Sequence, residues 1–197
     1  MKKLCVTATC FAVLVMLGVA HSQQVDAAFG LSGITSPPTV GSSGEHFPQI
    51  VGGGAFPTVS ADLLFKRSLG VQGEVSWRAS QNTYFGFQPF RPIFYDFNAI
   101  WAPPLGSRAN LEVLAGLGAE NVRFYQPSFT CSFTTCNNYD SSNHLLGDVG
   151  AGLRLYVTKH LFVRPEVRQY FVRNNFEFTS PYATRVGASI GYSFSSE

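Results

Sequence analysis

The sequence predicts an all-β fold, a closed antiparallel transmembrane β-barrel of eight strands, and three observations carry that prediction. Apolar and polar residues alternate in segment after segment. The connections between those segments alternate short and long. Charged residues make up only 13% of the 197-residue chain, against about 25% in a typical soluble protein, and many of them fall on the polar side of the alternating segments.

Taken in order, residues 1–22 read as a cleaved signal peptide. Lys2 and Lys3 form the basic start, Cys5 to Val19 the apolar run, and small residues follow. Cleavage after Ala20 and after Ser22 both fit. Without Lys2 and Lys3 the fourteen bases fall to twelve, matching twelve acids. That balance leaves no basic field for nucleic acid. No later stretch offers the ~20 apolar residues that a spanning helix needs.

Residues 23–45 are rich in Gly, Ser and Pro without a sustained period, which predicts a flexible leader. The barrel domain is expected over residues 46–197. Its first strand is the least defined, somewhere in His46 to Phe56 or earlier. Strands follow over Thr58 to Lys66, Leu69 to Ala79, Arg91 to Trp101, Ala109 to Tyr125, Leu145 to Val157, His160 to Arg173 and Tyr182 to Phe194. Each alternates with period two, the signature of a strand with unlike faces. An even strand number completes the set at eight.

Short connections lie at residues 66–68, 103–107 and 158–159, and long polar ones at 80–90, 126–144 and 174–181. That asymmetry matches membrane barrels, which have short periplasmic turns and longer outer loops. Cys131 and Cys136 sit in the longest loop, and in an exported chain they are expected to form a disulfide. Pro165 removes a ladder donor from its strand, so a bulge is expected there.

The polar faces collect Asp62, Glu74, Asp96, Glu112, Asp148 and Glu166 with Arg78, Arg154, Arg164, Arg168 and Arg185. A near-balanced set of this kind suits a lumen of paired charges, because a buried unpaired charge is very costly. Glycines on the same face (Gly116, Gly118, Gly150, Gly152, Gly187, Gly191) make room for large neighbours. Trp77, Tyr95, Trp101, Tyr125, Tyr182, Tyr192 and Phe194 lie at or near strand ends, as aromatic girdles at a membrane interface do. Two alternatives remain open from sequence: a narrow porin or channel, and a secreted lipocalin-like ligand-binding barrel with its apolar set inside.

The runs GDVGAGLRLYVTKHLFVRPEVRQYFV and TRVGASIGYSF resemble the small outer-membrane β-barrel domain family, the OmpA/OmpX-like "porin family" barrels. The resemblance implies insertion in the outer membrane of a Gram-negative-type bacterium. It also implies contact with outer-membrane lipid and lipopolysaccharide, and recognition of the C-terminal strand by the barrel-assembly machinery. Arg91, Arg123 and Arg173, near the outer strand ends, are placed to meet lipopolysaccharide phosphates. The segment 126–144 is the surface expected to meet an extracellular ligand.

Catalytic chemistry has one weak candidate, a lipid-modifying hydrolase built on Ser141, Ser142, His144 and Asp148. It lacks a strained nucleophile turn and an identifiable oxyanion site. No cofactor is expected. His46 and His160 are isolated, so no metal constellation is visible. Gly52, Gly53 and Gly54 lack the Lys-Ser/Thr of a phosphate loop.

Overall fold

The computed structural model describes residues 23–36, 51–65, 68–131, 136–175, 177–178 and 180–194. Among the described residues nine strands form one sheet: β1 (Gln23–Thr35), β2 (Ala55–Phe65), β3 (Leu69–Trp77), β4 (Asn82–Tyr84), β5 (Gln88–Trp101), β6 (Ala109–Cys131), β7 (Cys136–Tyr156), β8 (Leu161–Val172) and β9 (Tyr182–Ser193). Neighbours in sequence pair antiparallel, and β1 pairs with β9 from Asp26↔Ser193 to Thr35↔Thr184. Because β3 bypasses the short β4 to pair with β5, eight strands close the wall. Closure removes every edge along the wall, which a spanning sheet requires.

The period-two alternation turns directly into burial. In β2 the pattern runs Phe56, Thr58, Ser60, Asp62 and Leu64 inward, with Val59 and Phe65 outward and exposed. The faces are inverted relative to a soluble barrel. Phe29 (61% exposed), Phe97 (64%), Leu117 (66%) and Ile190 (60%) point outward, while Arg154, Asp26 and Glu112 are fully buried. An apolar coat around a charged interior is the arrangement that a lipid surrounding selects. The lipocalin-like alternative, which needs the opposite facing, is thereby set aside.

Three sequence expectations are corrected. The residues 23–45, expected as a flexible leader, contain the first wall strand, β1, which is the earlier of the two placements left open and not the one in His46 to Phe56. Within the described residues of that second stretch, Gly53 and Gly54 form a positive-φ turn and β2 begins at Ala55. β1 does alternate, with Val25, Phe29 and Leu31 outside and Asp26, Ala28, Ser32 and Ile34 inside. Its inner face is built of small residues, so the composition resembles a linker. Small residues are needed there because side chains from other strands fill the space; Arg164 on β8 passes β9 and β1 to donate to Ser60 on β2.

The second correction concerns residues 126–144, which are not an irregular loop. β6 and β7 continue through most of it as a paired hairpin, with a register shift between Tyr125 and Thr130 and a closing pair Cys131↔Cys136. These two cysteines form a disulfide. Third, Pro165 makes no bulge. Gly152↔Glu166 and Leu155↔Val163 keep a single register, and Pro165 pairs in register with Ala188 on its other side. The strand loses ladder bonds at the proline without gaining a residue. The proposed signal peptide, residues 1–22, lies outside the described residues, as does His46.

A charge on the lipid-facing wall is expected to destabilise the barrel. Val149 lies midway along the outward apolar row of β7. Val149→Arg should cost about 2–4 kcal/mol, the depth-dependent range near a bilayer midplane, read by denaturant unfolding in lipid vesicles.

Candidate functional site

The interior is built in three tiers. At one end Leu64, Ile100 and Ala102 form a small apolar cluster, beside Phe162, whose ring packs on Tyr156 with centroids 5.7 Å apart. At the other end Phe56, Phe90, Phe94, Val122, Leu146 and Phe178 form the core of a larger cluster. Tyr84 of β4 and Phe124 pack against it, their rings 5.2 Å apart. Between the two lies the charge network.

Arg154 on β7 is its lower hub. Its guanidinium donates to Asp26 on β1, to Asp62 on β2 at 2.7 Å, and to Glu112 on β6. Four strands that are not all neighbours thus meet on one cation. Arg164 lies above it, 2.8 Å from Asp62 and 3.4 Å from Glu112. Arg168 reaches Glu74 at 2.8 Å, Asp96 at 3.1 Å and Glu166 at 3.3 Å, and lies 3.8 Å from Asp148. Arg185 pairs with Glu74 and Glu166. Its guanidinium carbon also lies 5.7 Å from the centre of the Tyr170 ring, which stacks on Phe94 at 5.1 Å. Tyr170 therefore joins the ion pairs to the aromatic cluster.

The backbone makes room for these long side chains at selected points. A Cβ on Gly191 would lie 2.1 Å from the Phe162 ring, and one on Gly150 would lie 2.8 Å from Arg168 Cγ. The side chains of Arg154, Arg164, Arg168 and Arg185 are each 1% exposed or less. Polar neighbours take up further bonding capacity: Gln72 accepts from Arg168 at 2.7 Å, and Ser193 donates to Asp26 at 2.6 Å.

Ten of the eleven residues expected in the lumen network meet there. Arg78 does not. It follows the last residue of β3, is buried against the Phe90 ring at 5.9 Å and the Gly53–Gly54 turn, and has no carboxylate partner among the described residues. The aromatic cluster separates it from the charges, and burial lowers the pKa of its guanidinium. Conversely, Asp26 was missed because it lies in the stretch read as leader. Of the expected interface aromatics, Tyr95, Trp101, Tyr182, Tyr192 and Phe194 are exposed on the outer wall, and Trp77 is half-buried. Tyr125 stands beyond the wall on the hairpin, 6.0 Å from Tyr139.

The hydrolase candidate comes apart. Asp148 lies in the lumen near Arg168. Ser142 Oγ is 3.0 Å from His144 Nε2, and Glu177, on the loop after β8, approaches the same nitrogen at 2.8 Å. A relay needs the acid and the hydroxyl on different ring nitrogens; here the His144–Glu177 pair instead ties the loop to the wall. Tyr84 reinforces it, donating to the Glu177 carbonyl at 2.9 Å. His160 stacks on Tyr192, and among the described residues no group of three or more His, Cys, Asp or Glu is placed to hold a metal.

The family model for the outer membrane protein beta-barrel domain matches residues 9–194. No curated protein sequence matches the chain significantly. Among solved structures, the chain is similar to Neisserial surface protein A (13% identity, TM-score 0.59, covering 86% of this chain and 96% of that one). It is also similar to the N-terminal barrel of Pseudomonas aeruginosa OprF (12%, 0.54, 88% and 100%). A third is Ail, the attachment invasion locus protein of Yersinia pestis, in complex with the heparin analogue sucrose octasulfate (13%, 0.52, 87% and 97%). At these identities the likeness shows the fold.

Removing one hub of the network should be severe. Arg168→Ala leaves Glu74, Asp96 and Glu166 facing a buried gap, and is expected to cost about 3–5 kcal/mol. Urea unfolding of the refolded barrel, followed by tryptophan fluorescence, measures it; an unchanged midpoint would contradict the pairing.

Proposed function

The chain belongs to the outer membrane protein beta-barrel domain family, and from that premise we propose that it is a non-conducting scaffold that presents its outer hairpin to surface partners. The observation that carries this reading is the filled lumen: ion pairs between two apolar clusters occupy the bore. An eight-stranded barrel is only wide enough for its own side chains, which weighs against the porin alternative.

What remains available to a partner is the outside. β5 pairs with β6 only as far as Phe124, and β8 with β7 only as far as Leu146. The hairpin from Tyr125 to the disulfide therefore projects about 20 Å at ~3.3 Å per residue. Loops on rigid scaffolds commonly carry function, and the cross-link at its tip limits the ordering cost of binding. Ail, a structural neighbour, was crystallised with a heparin analogue, which makes an anionic sugar one class of ligand to test on this surface.

The remaining partners in this proposal are outer-membrane lipid and lipopolysaccharide around the wall, and the barrel-assembly machinery at β9. Export by a cleaved signal over residues 1–22 completes it, supported by Lys2, Lys3 and the apolar run behind them. No catalytic step is part of the reading, since Ser142 and Glu177 compete for one nitrogen of His144.

Two measurements test the proposal. In planar bilayers the purified barrel should give no discrete conductance steps; regular steps would establish a channel. Replacing residues 126–139 with a short turn should leave the heat-dependent gel mobility shift of a folded barrel intact while abolishing attachment of expressing cells to a sulfated-glycan surface.

A further inference from the structure

The outer wall of β5, β6 and β7 changes character along a single line. Below it the outward residues are apolar: Phe97 and Tyr95 on β5, Leu117 and Ala119 on β6, Val149 and Leu145 on β7. Above it come Asn121 paired with Asn143, then Arg91 opposite Arg123 with Ser141 beside them, then Tyr125 opposite Tyr139. Rows on one face are about 7 Å apart, so the arginine row stands two rows, about 14 Å, above the Tyr95–Ala119–Leu145 row, with Asn121 and Asn143 between.

Two like charges directly opposite on antiparallel strands repel. Acids usually relieve such a pair, yet among the described residues no carboxylate comes within ion-pairing distance of either guanidinium. Asp140 is opposite Phe124, hence on the other face of the hairpin, and is held by Gln126 at 3.1 Å. Aromatic rings hold the cations instead. Arg123 lies 4.9 Å from the centre of the Tyr139 ring and Arg91 lies 6.0 Å from that of Tyr125.

Neutral bonds fix the remaining geometry. Arg123 Nε donates to Asn121 Oδ1 at 3.2 Å, Asn121 donates to Asn143 at 2.7 Å, and Arg91 donates to the Ala79 carbonyl at 3.4 Å. Beside Arg123 lies an open recess of about 250 Å³ lined by Tyr95, Asn121, Arg123, Tyr139, Ser141 and Asn143. Amide and hydroxyl groups under a guanidinium, with an aromatic rim, suit a sugar that carries an anionic group.

We propose that Arg91 and Arg123 form a binding site for a phosphorylated sugar headgroup of the outer-leaflet lipid in which the barrel sits. The phosphate bridges the two guanidiniums and removes their repulsion, while the sugar lies in the recess against Tyr139, Asn121 and Asn143. The patch faces sideways along the wall, above the lipid-facing rows with the Asn121–Asn143 row between, so a lipid headgroup meets it without leaving the leaflet. The site deepens the surface reading above and rests on the chain being a membrane-inserted barrel.

The test uses native mass spectrometry of the full refolded chain in detergent. Its ligands are bisphosphorylated lipid A and the same lipid with its phosphates removed. The wild type should bind the phosphorylated lipid at least about tenfold more tightly, as bidentate charge-assisted bonds imply. Arg91→Gln combined with Arg123→Gln should erase that preference, whereas Arg108→Gln, which changes an exposed arginine in the short β5–β6 connection at the opposite end of the wall, should keep it.

Equal binding of the two lipids by the wild type, a comparison that needs no variant, would overturn the site. So would an unchanged preference in the double variant. Displacement of lipid A by millimolar inorganic phosphate would make free phosphate the ligand and overturn the lipid assignment. The heat-dependent mobility shift is recorded alongside. Its loss in the wild type would mean that the barrel reading fails, while a normal shift without phosphate preference refutes this site alone.

Discussion

The structure depends on the neutralisation of four arginines inside a membrane wall. Moving a guanidinium out of water costs several kcal/mol even after relaxation, and four are fully buried here. Attraction offsets that cost only when each cation has carboxylates in good geometry. Arg154 takes them from β1, β2 and β6, and Arg168 from β3, β5 and β8. The network thus spans the bore between strands that share no ladder bond, and it specifies one closed register.

Closure and filling impose each other's constraints. Because the charges must not meet lipid, the wall has to be complete, and the β1–β9 seam completes it. Long side chains crossing the bore need small residues opposite them, hence the Ala, Gly and Ser inner face of β1 and the bare backbone at Gly150 and Gly191. The apolar clusters at either end then keep water from the ion pairs, which preserves their strength at low dielectric. With the interior committed to stability, the recognition proposed above falls to the outer rim, where the wall turns polar and the β6–β7 hairpin extends beyond it.

Seven of the eight wall strands were legible in sequence, because on those strands the outer rows are strongly apolar and the inner rows carry charges. β1 was not, since its inner face alternates small residues that carry little hydropathy contrast, with Asp26 as its only charge. Arg78 keeps the inward parity of β3, but it follows Trp77 at the strand's end, where Phe90 and the aromatic cluster lie between it and the charges. The hairpin was read as loop because both faces of a projecting strand pair are polar, and period two disappears when neither face is buried. His144 was considered only as a weak catalytic candidate; its partner Glu177 lies 33 positions away, and no spacing rule connects them. The Arg91–Arg123 pairing depends on register, which strand periodicity alone leaves open.

Hydrogen exchange at the arginine Nε–H groups, followed by NMR of the folded protein in micelles, tests the sealed lumen most directly. Slow exchange for Arg154, Arg164, Arg168 and Arg185, with fast exchange for the outer Arg91, Arg123 and Arg173, is the predicted result. Exchange of all seven at the rate of free arginine would mean that water reaches the network, and the account of a filled, non-conducting barrel would be wrong.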